Sequence, residues 1–222
     1  MTKKIIVFVA ALALVLSLAG VAQADCDGVG NVLWNSSFED VSAGTGPPAL
    51  PLNFWYLADR GGTGQFSTDQ AHTGYYSAKI FGGVPNSMKQ DQNSRGGIKI
   101  DLDPLLTYQQ CVWVYLTALA DPVLGTQIYF RAGWGTNGYD AGATYYVTET
   151  NKWVHVVDTR LFTGNTECSM WSVRAFTGGD PNGSNVVYFD DACLDPVPEP
   201  ASIAGLLTGV LGMFGFAIRR RK

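Results

Sequence analysis

Histidine is nearly missing from this 222-residue chain, which has only His72 and His155. With no CxxC pair and no His-rich spacing, nothing points to zinc. No basic stripe runs through the interior, so a nucleic-acid partner is not expected. No GxSxG elbow occurs, and no Ser, His and Asp set stands out. Asp158 and Glu167 could serve as a glycosidase pair only if the fold placed them together in a cleft. The chain therefore reads as a non-enzyme, with a glycoside hydrolase as the weakest alternative. Helical periodicity is missing too: between Asp25 and Pro196 no segment keeps a 3.6-residue apolar period over three turns. There is no internal repeat, and the one low-complexity stretch, AGTGPPALP at 43–51, reads as a loop.

What is present is concentrated first at the two ends. Lys3 and Lys4 precede an apolar run from Ile5 to Ala19, and Ala22-Gln23-Ala24 offers the small residues of a cleavage site. Residues 1–24 therefore read as a secretory signal peptide with an apolar helix. At the other end, Pro198 and Pro200 break the chain around Glu199, because each fixes φ and withholds a backbone donor. From Ile203 to Ile218 no side chain is charged. As a helix this run reaches roughly 24 Å, close to the roughly 30 Å hydrocarbon core once flanking residues are used. Arg219, Arg220, Arg221 and Lys222 then hold that end at the cytoplasmic leaflet. Pro-Glu-Pro, one apolar span and a terminal Arg cluster resemble the PEP-CTERM sorting signal, here at 197–222. The resemblance implies an inner-membrane stage on the periplasmic side and recognition by an exosortase-type membrane protease. Cleavage near Pro-Glu-Pro and delivery to the cell surface or extracellular matrix would follow.

The body, 25–196, has the length of one domain, roughly 170 residues. It is rich in Gly, Thr and aromatic residues and poor in Lys and Glu, which favours strands. Strand-like runs recur at 32–39, 53–59, 64–68, 75–81, 97–102, 109–119, 127–133, 144–148, 153–159, 169–176 and 185–194, separated by Gly, Pro and Asn clusters. The expected class is all-β, an antiparallel two-sheet sandwich. The four cysteines, Cys26, Cys111, Cys168 and Cys193, all fall in this exported part and predict two disulfides, with three connectivities open from spacing alone.

Alternation sorts the faces of three strands. Val112, Val114 and Leu116 share one side of their strand and Cys111, Trp113 and Tyr115 the other. Ile128, Phe130 and Ala132 oppose Gln127, Tyr129 and Arg131; Trp171, Val173 and Ala175 oppose Met170, Ser172 and Arg174. If the aliphatic sides face the core, one outer face collects Trp113, Tyr115, Tyr129, Arg131 and Arg174. Flat rings for pyranose C–H faces and Arg donors for hydroxyls make a glycan platform, unless a sheet or loop covers that side. Cys111 lies on it, and Cys168 does if the alternation runs further back, which fits a Cys111–Cys168 bridge with Cys26–Cys193 tying first strand to last. Trp34, Trp55 and Trp153 read as core, Trp134 and Tyr139 as loop residues on a rim. His72 reads as a turn residue and His155 as an exposed strand residue.

The segments NVLWNSSFED, FWYLA, DQAHTGYYSAKI, NKWVHV and NVVYFDDACL, in that order, resemble the jelly-roll, galactose-binding-like carbohydrate-binding modules. The resemblance implies a non-catalytic domain that binds polysaccharide. It also implies a structural Ca²⁺ held by Glu39, by Asp190 or Asp191, and by backbone carbonyls near Ser77 to Lys79. Hard Ca²⁺ takes six to eight oxygens. Without a metal, these acids would cap loops and meet Lys79 or Arg174. The alternative function is a purely structural matrix or adhesion protein with no affinity for sugar.

Overall fold

In Thr107–Leu116 the side chains of Val112, Val114 and Leu116 are fully buried, while Trp113 and Tyr115 stay half-buried. That period of two is the mark of a sheet with one face on a core. Ile128, Phe130 and Ala132 repeat it in the next long strand; in a third, Trp171, Val173 and Ala175 join the core, but Ser172 and Arg174 between them are buried too. The inward faces follow the alternation of the sequence.

The computed structural model describes residues 31–41, 54–57, 63–82, 86–92, 94–95, 97–103, 105–133, 139–162, 167–168, 170–176 and 185–197. The expected signal helix at 1–24, the tail helix at 203–218, the sorting residues Pro198 to Arg221, Cys26 and Trp134 lie outside them. The strands are β1 (Tyr56–Leu57), β2 (Thr63–Ser67), β3 (Ser77–Phe81), β4 (Asn86–Asp91), β5 (Ile100–Asp101) and β6 (Thr107–Leu116). They continue with β7 (Thr126–Gly133), β8 (Tyr139–Val147), β9 (Trp153–Leu161), β10 (Glu167–Cys168), β11 (Met170–Ala175) and β12 (Val187–Pro196). Sheet I runs β1-β4-β11-β7-β8 and sheet II runs β2-β3-β12-β6-β9, with β5 and β10 as a separate pair. Every described pairing is antiparallel. Residues of both sheets share one core cluster, including Ile80, Val114 and Phe189 of sheet II with Met88, Phe130 and Val173 of sheet I. The protein is the all-β two-sheet sandwich expected.

One polar bridge crosses that core. Trp171 Nε1 of sheet I donates to Gln110 Oε1 of sheet II at 3.0 Å, and Gln110 Nε2 donates to Asp158 Oδ2 at 2.7 Å. The Tyr145 hydroxyl of sheet I donates to the other Asp158 oxygen at 3.1 Å. Burial, then the Asp158 charge, pushes Tyr145 up to about 12. Asp158 is thus a structural acceptor with both oxygens occupied, and Glu167 sits on β10 in a different sheet.

Some local expectations change. Residues 32–39 are a turn rather than a strand, with Asn35 and Phe38 at φ of 47° and 61°. Gln90 takes the strand's place there: its Oε1 accepts from Trp34 N at 3.2 Å, and its Nε2 bonds Trp34 O. Of the three tryptophans read as core, Trp55 is fully buried, but Trp34 and Trp153 are half-buried. Trp34 packs under the Arg95 guanidinium at 4.4 Å, and Trp153 pairs with Tyr115 on the outer side of sheet II. Tyr139 opens β8 instead of lying in a loop.

Candidate functional site

The residues expected to form one platform lie on two sheets. Trp113 and Tyr115 belong to β6 of sheet II, whereas Tyr129 and Arg131 belong to β7 and Arg174 to β11 of sheet I. Since the buried sides of both sheets face the common core, the two groups point away from each other on opposite outer faces. Alternation identifies the side of a strand that faces out, but not the sheet the strand joins.

On the outer face of sheet II, Trp113 is not available for stacking. The His72 imidazole lies parallel to its indole at 3.8 Å and 16°, and the His155 imidazole at 4.6 Å and 10°. Two parallel imidazoles at these distances cannot share one face without overlapping, so they cover both. His155 comes from the residue directly opposite on β9. His72 comes from the loop before β3, and its Nδ1 is 2.7 Å from Asp191 Oδ2. His72 lies in a loop as expected, whereas His155 is half-buried rather than exposed, and the two clamp Trp113. Tyr115 is likewise packed between Trp153 and Tyr188, at 5.6 and 5.8 Å.

Beside this stack lie the acids singled out for metal. A β-bulge between Asp190 and Cys193, with Asp191 at φ 44°, lets two consecutive carboxylates serve the same loop. Asp190 Oδ2 accepts from His72 N at 2.7 Å and Thr73 N at 3.3 Å, and its Oδ1 from Asp191 N at 2.8 Å. Asp191 Oδ1 accepts from the Thr73 hydroxyl at 2.7 Å. Burial, then the neighbouring Asp191, pushes the Asp190 carboxyl up to about 7 against the pull of those amides. Glu39 Oε1 accepts from Tyr75 N and Tyr76 N, both at 2.8 Å. These acids cap the 72–76 loop, and Asp191 also meets the His72 imidazole. Lys79 pairs instead with Asp69 at 2.5 Å, and its β3 backbone lies between β2 and β12. Among the described residues no three His, Cys, Asp or Glu side chains gather so as to share one ion. A cation here would rest on carboxylate pairs and backbone carbonyls.

The expected cysteine pairing is corrected. Cys111 is bonded to Cys193, with Cα atoms 4.9 Å apart, because β6 and β12 are neighbours that place these two residues directly opposite. Cys168 is a buried free thiol, pushed up to about 11 by burial. It lies on β10 against Ile100, so the alternation of β11 does not run back to it.

The outer face of sheet I also collects cations with aromatic rings, as sheet II does where Lys79 Nζ stands 5.5 Å from the Tyr188 ring centre. Tyr56 of β1 lies opposite Lys89 of β4, whose Nζ stands 4.9 Å from the Tyr56 ring centre. Arg174 Cζ stands 6.0 Å from the Tyr129 ring, its Nη1 donates to the Tyr129 hydroxyl at 3.5 Å, and Tyr129 stacks on Phe176 at 5.6 Å. Ser172 lies opposite Lys89 on one side and Arg131 on the other. The sequence already signals this face through Tyr129, Arg131 and Arg174. It does not signal Tyr56 or Lys89, because NSMKQD carries one aliphatic-like core residue, Met88, and hardly reads as a strand.

Residues 196–222 match the PEP-CTERM protein-sorting motif. No curated protein sequence matches the chain. Among solved structures, the fold is similar to an arabinose-bound family 51 α-L-arabinofuranosidase (15% identity, TM-score 0.53, covering 80% of this chain and 29% of that one). It is similar also to the tandem CBM22 domain from Paenibacillus barcinonensis (17%, TM-score 0.50, 80% and 49%). The C-terminal family 22 carbohydrate-binding module of a Clostridium thermocellum protein is a third neighbour (18%, TM-score 0.48, 77% and 97%). At these identities the likeness is one of fold, and it agrees with the jelly-roll sandwich.

Proposed function

We propose that this chain is exported, sorted through its tail by an exosortase-type membrane protease to the cell surface or matrix, and holds polysaccharide there without catalysis. The sorting-motif match at 196–222 supports the address. The binding face in this reading is the outer side of sheet I. The observation that carries it is the set of rings and cations on adjacent strands, Tyr56 with Lys89 and Tyr129 with Arg174. A sugar needs apolar rings and fixed hydrogen-bond donors together, and this face offers both. The fold neighbours whose names identify them as carbohydrate-binding modules support the same reading.

Affinity gel electrophoresis in gels cast with a panel of plant and bacterial polysaccharides tests it. Retention should be lost in Tyr129→Ala and kept in Trp113→Ala, provided both variants show wild-type circular dichroism. Retention by none of the polymers, together with self-association of the purified protein, favours a structural matrix or adhesion role instead.

We also propose a structural Ca²⁺ held by Glu39 and by Asp190 or Asp191, completed by backbone carbonyls. Its support is charge: three carboxylates, two of them buried, are accompanied by a single imidazole. EDTA should lower the melting temperature and Ca²⁺ should restore it; an unchanged melting curve rejects the ion.

A further inference from the structure

At the end of sheet I where β7 begins, the surface sinks into a hollow of about 280 Å³. Register fixes its floor. Gln127 of β7 lies directly opposite Tyr146 of β8, and the Phe176 amide donates to the Gln127 carbonyl at 2.9 Å. The three residues therefore stand side by side on the outer face, next to Tyr129, whose ring stacks on Phe176. Asp121 and Leu124, from the turn that leads into β7, line the other side. Bonds hold this turn in place. Asp121 and Gly125 exchange backbone hydrogen bonds at 3.3 and 2.9 Å, and Ala120 N donates to the Thr126 hydroxyl at 3.0 Å. A Cβ added to Gly125, whose φ is +92°, would lie 2.5 Å from Val147 O, so the turn packs directly on the end of β8.

The hollow is open, since Tyr146 is 55% and Leu124 59% exposed. Asp121 is the one charged residue lining it. Its Oδ1 accepts from Val123 N at 2.7 Å and Leu124 N at 2.8 Å. The Leu124 amide, then that of Val123, holds this carboxyl below its ordinary range, so it is ionised. No described residue meets its other oxygen, and no described cation pairs with it. The Gln127 amide and the Tyr146 hydroxyl are likewise without partners among the described residues. An unpaired carboxylate beside two aromatic rings suits a cation carried on an apolar frame: the rings attract it through their faces, and the carboxylate accepts a charge-assisted hydrogen bond. A protonated amino sugar has that form. Its C–H face can lie on a ring, its hydroxyls can meet Gln127 and Tyr146, and its ammonium can meet Asp121.

We infer that this hollow binds an amino sugar of the polysaccharide, with the ammonium donating to Asp121 and the sugar ring against Tyr146. The inference rests on the polysaccharide reading above and narrows its ligand to polymers that carry free amino groups.

Calorimetric titration of the purified protein with β-1,4-linked tetrasaccharides that differ only at carbon 2 decides it. Cellotetraose carries a hydroxyl there, N-acetylchitotetraose an acetamide and deacetylated chitotetraose an ammonium. The titrations are run at mildly acidic pH, where the amine keeps its proton, and in 150 mM salt, where exposed charges are screened beyond about 8 Å. The expected result is that the deacetylated sugar binds about tenfold tighter than the other two, the worth of one charge-assisted hydrogen bond. Asp121→Asn should remove that preference, and Glu149→Gln, which deletes the same charge from the exposed pair with Lys152, should keep it. Tyr146→Ala, at an exposed position that the fold does not need, should weaken all three sugars. Equal affinity for the three, or a preference that survives Asp121→Asn, overturns this inference and leaves the polysaccharide reading standing. Tetralysine binding as tightly as the deacetylated sugar overturns it as plain charge attraction. Binding of no tetrasaccharide overturns it as well, and the polymer gels above then decide the wider reading separately.

Discussion

The indole N–H of Trp171 meets the side-chain oxygen of Gln110 at 3.0 Å, one residue from each sheet. Gln110 also donates to Asp158, so a single amide serves the buried Trp171 N–H and one oxygen of the half-buried Asp158. A sandwich core is apolar and gives little preference to one relative placement of its sheets. A directional bond across it specifies that placement.

Gln110→Leu should therefore cost more than the loss of one average hydrogen bond. It leaves the buried Trp171 N–H unsatisfied, at about 1–3 kcal/mol, while the half-buried Asp158 oxygen can turn to water. We expect a loss of about 1–3 kcal/mol, read as a lower urea midpoint with an unchanged slope. A loss below 1 kcal/mol would mean that water replaces the amide.

The Cys111–Cys193 bond closes a long stretch of chain, with a sequence separation of 82. In the chain-entropy account a loop of that length is worth about 4 kcal/mol. Cys193→Ser should destabilise by about 2–5 kcal/mol, and Cys168→Ser should leave the disulfide intact. Non-reducing peptide mapping by mass spectrometry checks the pairing directly. A fragment linking Cys111 to Cys168 would restore the connectivity that alternation suggests.

That connectivity shows where sequence reading stops. The inward faces of β6, β7 and β11 are legible, because Val112, Phe130 and Val173 obey a local period of two. The strand's sheet is not legible, since residues 117–125 carry the chain from sheet II to sheet I without any periodic mark. The clamp on Trp113 is hidden for a related reason: His72 and Asp191 are 119 residues apart, and only the fold brings them together. β4 is missed because its inward pair is Met88 and Gln90, and a buried glutamine looks like a loop residue in sequence. The acids Glu39, Asp190 and Asp191 are grouped in the sequence only through the family resemblance; that they cap the 72–76 loop, and the bulge that turns two consecutive residues to it, are not legible.

Gly74 tests that acid-capped loop. Its φ is +61°, and a Cβ placed on it would lie 2.4 Å from Glu39 Oε1. Gly74→Ala adds left-handed strain of about 1–2 kcal/mol and pushes the carboxylate off the amides of Tyr75 and Tyr76. A total loss of about 2–4 kcal/mol is expected from these two sources. Gly97 is the control: its φ is +93°, but nothing lies within 4 Å of its added Cβ. Gly97→Ala should carry the strain alone, about 1–2 kcal/mol. Equal losses in the two variants would remove the Glu39 cap from the account.

Asp195 gives the pH dependence. It is 4% exposed, neither carboxyl oxygen has a hydrogen-bond partner, and burial pushes it up to about 6. The folded protein thus keeps this proton up to about pH 6, while the unfolded chain releases it near the ordinary value of 3.8. Between those values the native state binds more protons, so stability falls as pH rises. The contribution is most favourable below about pH 4 and is lost once pH passes about 6. Asp195→Asn keeps the shape and removes the charge, so the variant should be more stable than wild type at pH 7, by about 1–3 kcal/mol. The gain should shrink towards zero near pH 4, where the wild-type side chain is itself neutral. Asp190 is raised in the same direction, so absolute stability curves mix the two. The difference between variant and wild-type urea midpoints, measured from pH 4 to 7, isolates Asp195. A difference that stays flat over that range would show that the buried carboxylate is paired in solution.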